Sequence, residues 1–79
     1  MDAIEEAKAG LTAQIRELVT TNEEQYLTEG ISLICAFRDA GGTQRAAYDA
    51  VHVLHIEYAE SDEGRMNLVD DLLDYIVGF

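Results

Sequence analysis

Apolar residues recur along the chain at the three- and four-residue spacing of amphipathic helices, in four blocks separated by polar or glycine-containing breaks. The first block predicts a helix over residues 3–19, with Ile4, Ala7, Leu11, Ile15 and Leu18 on one narrow arc. Glu5 and Glu6 in its first turn suit the positive end of the helix dipole. Gly10 interrupts this helix at a cost of about 1 kcal/mol relative to alanine, which points to a close helix crossing there. A break follows at Thr20-Thr21-Asn22, where Asn22 as N-cap and Gln25 three positions on form a capping-box pattern.

The second helix is predicted over 23–40, with Gly41 able to take the left-handed C-cap. Its apolar arc is broad, with Tyr26, Leu33 and Phe37 in one stripe and Leu27, Ile31 and Ile34 in the next, so it should contact two neighbours. Gly41-Gly42 is the clearest turn signal, and Thr43 is the N-cap of a third helix over 44–59. Ala47, Val51, Leu54 and Tyr58 form its core stripe, whereas Val53 and Ile56 lie far round it on a face shared with Asp49. The loop from Glu60 to Gly64 offers Ser61 or Asp62 as N-cap of a last helix over 63–77, with Gly78 as its C-cap. Leu68, Val69, Leu72, Leu73, Ile76 and Phe79 should face inward there, with Asn67, Asp70, Asp71 and Asp74 opposite. No strand, repeat or linker is predicted. Short loops between helices of four to five turns imply antiparallel neighbours. The expectation is a single helical domain over residues 1–79: all-α, a compact four-helix up-down bundle.

Charge narrows the functional classes. Sixteen acidic side chains against five basic ones give a net charge of −11, while 48% apolar residues mark a globular chain. A nucleic-acid binder needs a basic surface, and anionic membranes are disfavoured on the same ground. Met1 to Gly10 holds four charges and no apolar run, and no stretch approaches the roughly 20 apolar residues of a membrane span. The lone cysteine, Cys35, cannot form an internal disulfide, so a cytoplasmic location is expected. Its apolar surroundings, Ile31 to Phe37, suit a small buried hydrophobe, and its place late in a helix opposes a thiolate.

Two constellations could carry chemistry. The run Asp70-Asp71-Leu72-Leu73-Asp74 could present carboxylates to a hard cation. Over those five residues it resembles the magnesium-diphosphate motif of isoprenyl diphosphate synthases. Those enzymes also need a large helical cavity and a second acidic motif, and a chain this short supplies neither; a solvated polar stripe accounts for the same spacing. His52 and His55 stand three residues apart, with Asp49 one turn back and Tyr48 on the same side. Asp49, His52 and His55 could in principle ligate a metal, but they spread over about 120° of the helix. Histidines at an interface would instead make association sensitive to pH. No nucleophile elbow, phosphate loop or His-Glu-x-x-His pattern occurs, so no catalytic activity and no cofactor is expected.

The remaining expectation is action through protein–protein contact. A homodimer would bury the surplus apolar residues Val53 and Ile56 of helix three with Leu27 or Tyr26 of helix two. Tyr48 or Tyr75 would serve as the aromatic anchor of a partner contact, which makes Tyr48, Val53, Ile56 and Tyr75 the candidate interface residues. Alternatively, the acidic surface at Asp70, Asp71 and Asp74 would steer a basic partner protein. In size, charge and helix content the chain is similar to small acidic helical proteins such as nuclease-inhibiting immunity proteins and DNA mimics. No motif matches residue by residue, so no contact set carries over.

Overall fold

The computed structural model describes residues 3–21 and 23–78. The chain is an all-α four-helix bundle: α1 (Ala3–Thr21), α2 (Tyr26–Asp39), α3 (Gln44–Ala59) and α4 (Glu63–Val77). The last two helices match their predicted bounds, whereas the α1–α2 link does not. The Thr20 hydroxyl donates to the Arg16 and Glu17 carbonyls and that of Thr21 to Glu17, so helical geometry continues through the threonines. A 3₁₀ turn (Glu23–Gln25) then precedes α2, and Gln25 makes no side-chain cap. The predicted N-cap Asn22 and the terminal Phe79 lie outside the described residues.

The other caps follow the sequence. Gly41 has φ +103°, and the Gly41 and Gly42 amides donate to the Arg38 and Phe37 carbonyls, closing α2 in a Schellman motif. The Phe37 ring lies against Gly42, where any Cβ would collide with it. Thr43 Oγ1 accepts from the Ala46 amide at 3.0 Å, and Asp62 Oδ1 from the Arg65 amide at 3.1 Å.

Contacts along the helices give direction and order. Ala7 lies across from Ala40 and Glu17 across from Glu29, so α1 and α2 are antiparallel. Gln44 reaches the end of α4 while His55 meets Asp70, so α3 and α4 are antiparallel too. Thr12 bonds Ala50 and Arg16 bonds Glu57, which makes α1 and α3 parallel. Tyr26 bonds Asp71 and Cys35 meets Tyr75, so α2 and α4 are likewise parallel. Direction therefore alternates along the chain as expected, but the order around the bundle is α1-α2-α4-α3. The short link through Gly41 and Gly42 crosses the diagonal, and two of the four side-by-side pairs are parallel instead of antiparallel.

Each helix contributes fully buried side chains to one core: Ile15 and Val19, Ile34, Val51 and Leu54, and Val69, Leu72 and Ile76. Ala46, Ala47 and Ala50 are buried on α3, and their small size lets α1 approach until Thr12 Oγ1 reaches the Ala50 carbonyl at 2.7 Å. The close crossing predicted at Gly10 is absent: a Cβ there would meet nothing within 4 Å. The tight glycine is Gly30, where a Cβ would sit 2.7 Å from Leu72 Cδ2.

These two glycines predict opposite signs. Gly10→Ala should stabilise the domain by about 0.5–1 kcal/mol, because it removes backbone entropy and meets open space. Gly30→Ala should cost about 1–3 kcal/mol through overpacking against Leu72, and less in a Leu72→Ala background. Urea unfolding of the four variants measures both, and a destabilising Gly10→Ala would contradict the open surroundings.

Candidate functional site

Tyr48, His52 and His55 of α3 meet Asp70 and Asp74 of α4 in a groove of about 360 Å³ between the two helices. Positions i, i+4 and i+7 of α3 place Tyr48, His52 and His55 in one column on its α4 side. Their rings stack, with centroids 5.4 Å apart at each step and planes inclined by 16° and then 11°. His55 Nδ1 lies 2.6 Å from Asp70 Oδ1, an ion pair when the ring is protonated. Asp74, Leu73 and Val77 complete the walls. The groove continues into a depression of about 580 Å³ beside Gln44, Arg45 and Asp49, where the Gln44 amide donates to the Ile76 and Val77 carbonyls at the end of α4.

The structure separates several residues that the sequence places side by side. Asp49 turns from the histidines toward Lys8, 3.9 Å away, so Asp49, His52 and His55 do not converge. No group of three or more His, Cys, Asp or Glu arranged to hold a metal occurs among the described residues. Asp70 faces α3, while Asp71 accepts from the Tyr26 hydroxyl of α2 at 2.5 Å. The two adjacent carboxylates are thus committed to different helices, and Asp74 alone of the three is exposed without such a bond. The cause is the 100° turn between consecutive residues, which sends i and i+1 to different neighbours.

Of the four proposed interface residues, Val53 is 50% exposed and Ile56 61%, both on the outward side of α3. Tyr48 is half-buried in the ring stack, and Tyr75 is half-buried with its hydroxyl 3.3 Å from Cys35 Sγ. Cys35 therefore lies between α2 and α4, away from the histidines. On the opposite side of the bundle is a furrow between α1 and α2 that the periodicity did not reveal as a site. Its signal in the sequence is a stripe of small residues, Ala7 and Gly10 on α1 facing Ala36 and Ala40 on α2.

Three tyrosines are held above the ordinary phenol range. The hydrogen bond to Asp71 raises Tyr26, with desolvation adding to it; burial raises Tyr58; the contact with Cys35 raises Tyr75. In each case the folded chain keeps a proton that the unfolded chain releases. Their stabilising contribution is therefore complete below about pH 10 and declines as pH rises through the folded values. Asp71→Ala should return one tyrosine titration toward the ordinary value, read from phenolate ultraviolet absorbance. An unmoved titration would mean that the Tyr26–Asp71 bond does not persist in solution. Comparison of the chain with protein-family models, with curated proteins and with solved structures finds no match in any of the three.

Proposed function

We propose that this chain is a non-catalytic, cytoplasmic protein–protein contact module that self-associates as a homodimer through the outward face of α3. The observation that carries the reading is the exposure of Val53 and Ile56 in the middle of that face. No other helix of the bundle covers them. An antiparallel two-fold pairing sets the two apolar centres together and brings exposed Arg45, near the start of one α3, toward Glu60 at the end of the other. A domain this small buries only about 60–65% of its unfolded surface, so pairing also supplies stability. One helix face is modest against the roughly 800 Å² per partner of a stable interface, which makes the dimer concentration-dependent.

The α3/α4 groove supports a binding role over a catalytic one. His55 and Asp70 form a dyad, but the groove brings no serine, threonine or cysteine to it. The lone half-buried cysteine favours a reducing compartment, and no described helix is long and apolar enough to cross a membrane. The net charge of −11 favours a second reading, a basic partner protein.

Light scattering after size exclusion tests the dimer: twice the 8.8 kDa chain mass is expected, falling to one chain in Val53→Ala/Ile56→Ala with helicity retained. Salt gives an independent sign. Two chains of net charge −11 repel, so self-association should tighten as salt rises, whereas binding of a basic partner should weaken. A wild-type monomer at high concentration and high salt would exclude the homodimer.

A further inference from the structure

We infer that the α1/α2 furrow is a docking site for a basic amphipathic helix of a partner protein. This goes beyond self-association through α3 and uses the opposite side of the bundle from the α3/α4 groove. It locates the second reading, recognition of a basic protein, on particular residues.

The furrow has a volume of about 580 Å³ between walls of Ala7, Gly10, Ala36 and Ala40, with Leu33 and Phe37 in its floor. The wall residues are exposed, whereas Phe37 is buried and Leu33 half-buried. Small side chains on both walls allow another helix to approach to the short end of the usual 8–10 Å interaxial range. Gly10 gives the independent sign of such an approach. It interrupts α1 in its interior, has an ordinary negative φ, and a Cβ added there would meet nothing else among the described residues within 4 Å. Its lack of a side chain thus has no internal use, and the space it leaves opens into the furrow.

Charge selects the occupant. Glu6, Gly10, Ala13 and Glu17 recur at i, i+4, i+7 and i+11 on α1, and Glu29, Leu33, Ala36 and Ala40 do the same on α2. The lining of the furrow itself carries no charged side chain, and the nearest acids, Glu17 and Glu29, face each other beyond one end of it, beside Gln14 and Leu33. None of the five Lys and Arg side chains lines the furrow: Lys8, Arg16 and Arg65 pair with acids elsewhere, Arg38 lies 3.7 Å from Asp39, and Arg45 is on α3. An apolar furrow with two glutamates at one end and no Lys or Arg in its lining fits a helix with an i, i+3, i+4, i+7 apolar face and Lys or Arg toward that end. The stretch from Ala40 to Glu29 corresponds to about three helical turns. A second copy of this chain is a poor occupant, because its own net charge of −11 is repelled by Glu17, Glu29 and the rest of this acidic chain.

The probe is a synthetic 14-residue peptide with leucines at i, i+3, i+4 and i+7 and lysines beside them, compared with a scrambled peptide of identical composition. Binding is followed by fluorescence anisotropy and mapped by amide chemical-shift changes on the full chain. The expected result is that the patterned peptide binds at least tenfold more tightly than the scrambled one and shifts amides of α1 and α2. Gly10→Leu and Ala36→Leu, which fill the furrow from exposed positions, should each weaken binding at least tenfold with helicity unchanged. Glu17→Lys/Glu29→Lys should slow association and flatten its salt dependence. Val53→Ala/Ile56→Ala should leave peptide binding unchanged, so that loss of the dimer and loss of the docking site are read separately. Equal affinity for the two peptides, insensitivity to Gly10→Leu and Ala36→Leu, or shifts confined to α3 and α4 would each overturn the proposal.

Discussion

The four-residue link from Ala40 to Thr43 decides how the rest of the bundle is arranged. Gly41 in the left-handed region and Gly42 under the Phe37 ring turn the chain within the span of the Schellman motif. Thr43 then starts the next helix at once through its cap on Ala46. Short as the link is, α3 enters on the diagonal from α2 and lies beside α1 and α4. Every exposed face of the molecule follows from that step. Had α3 packed beside α2, the α1/α2 furrow and the outward face of α3 would have had different neighbours. The demands on the two glycines differ, since Gly41 is required by its φ and Gly42 by the ring against it.

The parallel pairs created by this order are held by different means. Between α1 and α3, small side chains and a hydroxyl do the work: the alanines at 46, 47 and 50 bring the backbones close, and Thr12 bonds the Ala50 carbonyl. Arg16 and Glu57 add a two-pronged pair at 2.9 and 3.1 Å, on the exposed margin where such pairs are worth little in water. Between α2 and α4, Leu72 packs over Gly30, while Tyr26 and Cys35 reach Asp71 and Tyr75. Small residues thus serve the core where a partner helix exists. At Ala7, Gly10, Ala36 and Ala40 the same residue types face a furrow that no helix of this chain fills.

How much of this was legible beforehand depends on the range of the interaction. The 3.6-residue period marks all four helices, and the core stripe Ala47, Val51, Leu54 and Tyr58 is buried as its spacing requires. Local capping at Thr43 and Asp62 is equally legible, because cap and amide lie three residues apart. The start of α2 is not, since a 3₁₀ turn and a helical turn share nearly the same local pattern and differ in register by a single carbonyl. Order around the bundle is invisible to periodicity, which says that a face is apolar and not which helix covers it. For that reason Gly10 reads as a crossing in the sequence while the close approach belongs to Gly30. The same blindness makes Asp70 and Asp71 look like a pair when they serve opposite neighbours.

The distribution of cations sharpens the contrast between the two sides of the molecule. With five positive side chains for sixteen negative ones, neutralisation is scarce, and the bundle uses it unevenly. Lys8 bridges toward Glu5 and Asp49, and Arg16 binds Glu57, so the α1/α3 seam is compensated. Arg65 serves the cap of α4 through Asp62. Among the described residues, Glu17 and Glu29 at one end of the α1/α2 furrow receive none of this. Uncompensated like charge raises the energy of the folded state, and an interior glycine lowers helix stability further, so the α1/α2 side carries two destabilising features together. Neither improves the isolated domain. Both would be relieved by the proposed positively charged helix, because its charges would neutralise Glu17 and Glu29 and its backbone would occupy the space above Gly10. That joint relief links the acidic composition to a location in the fold, where net charge alone accounts only for solubility.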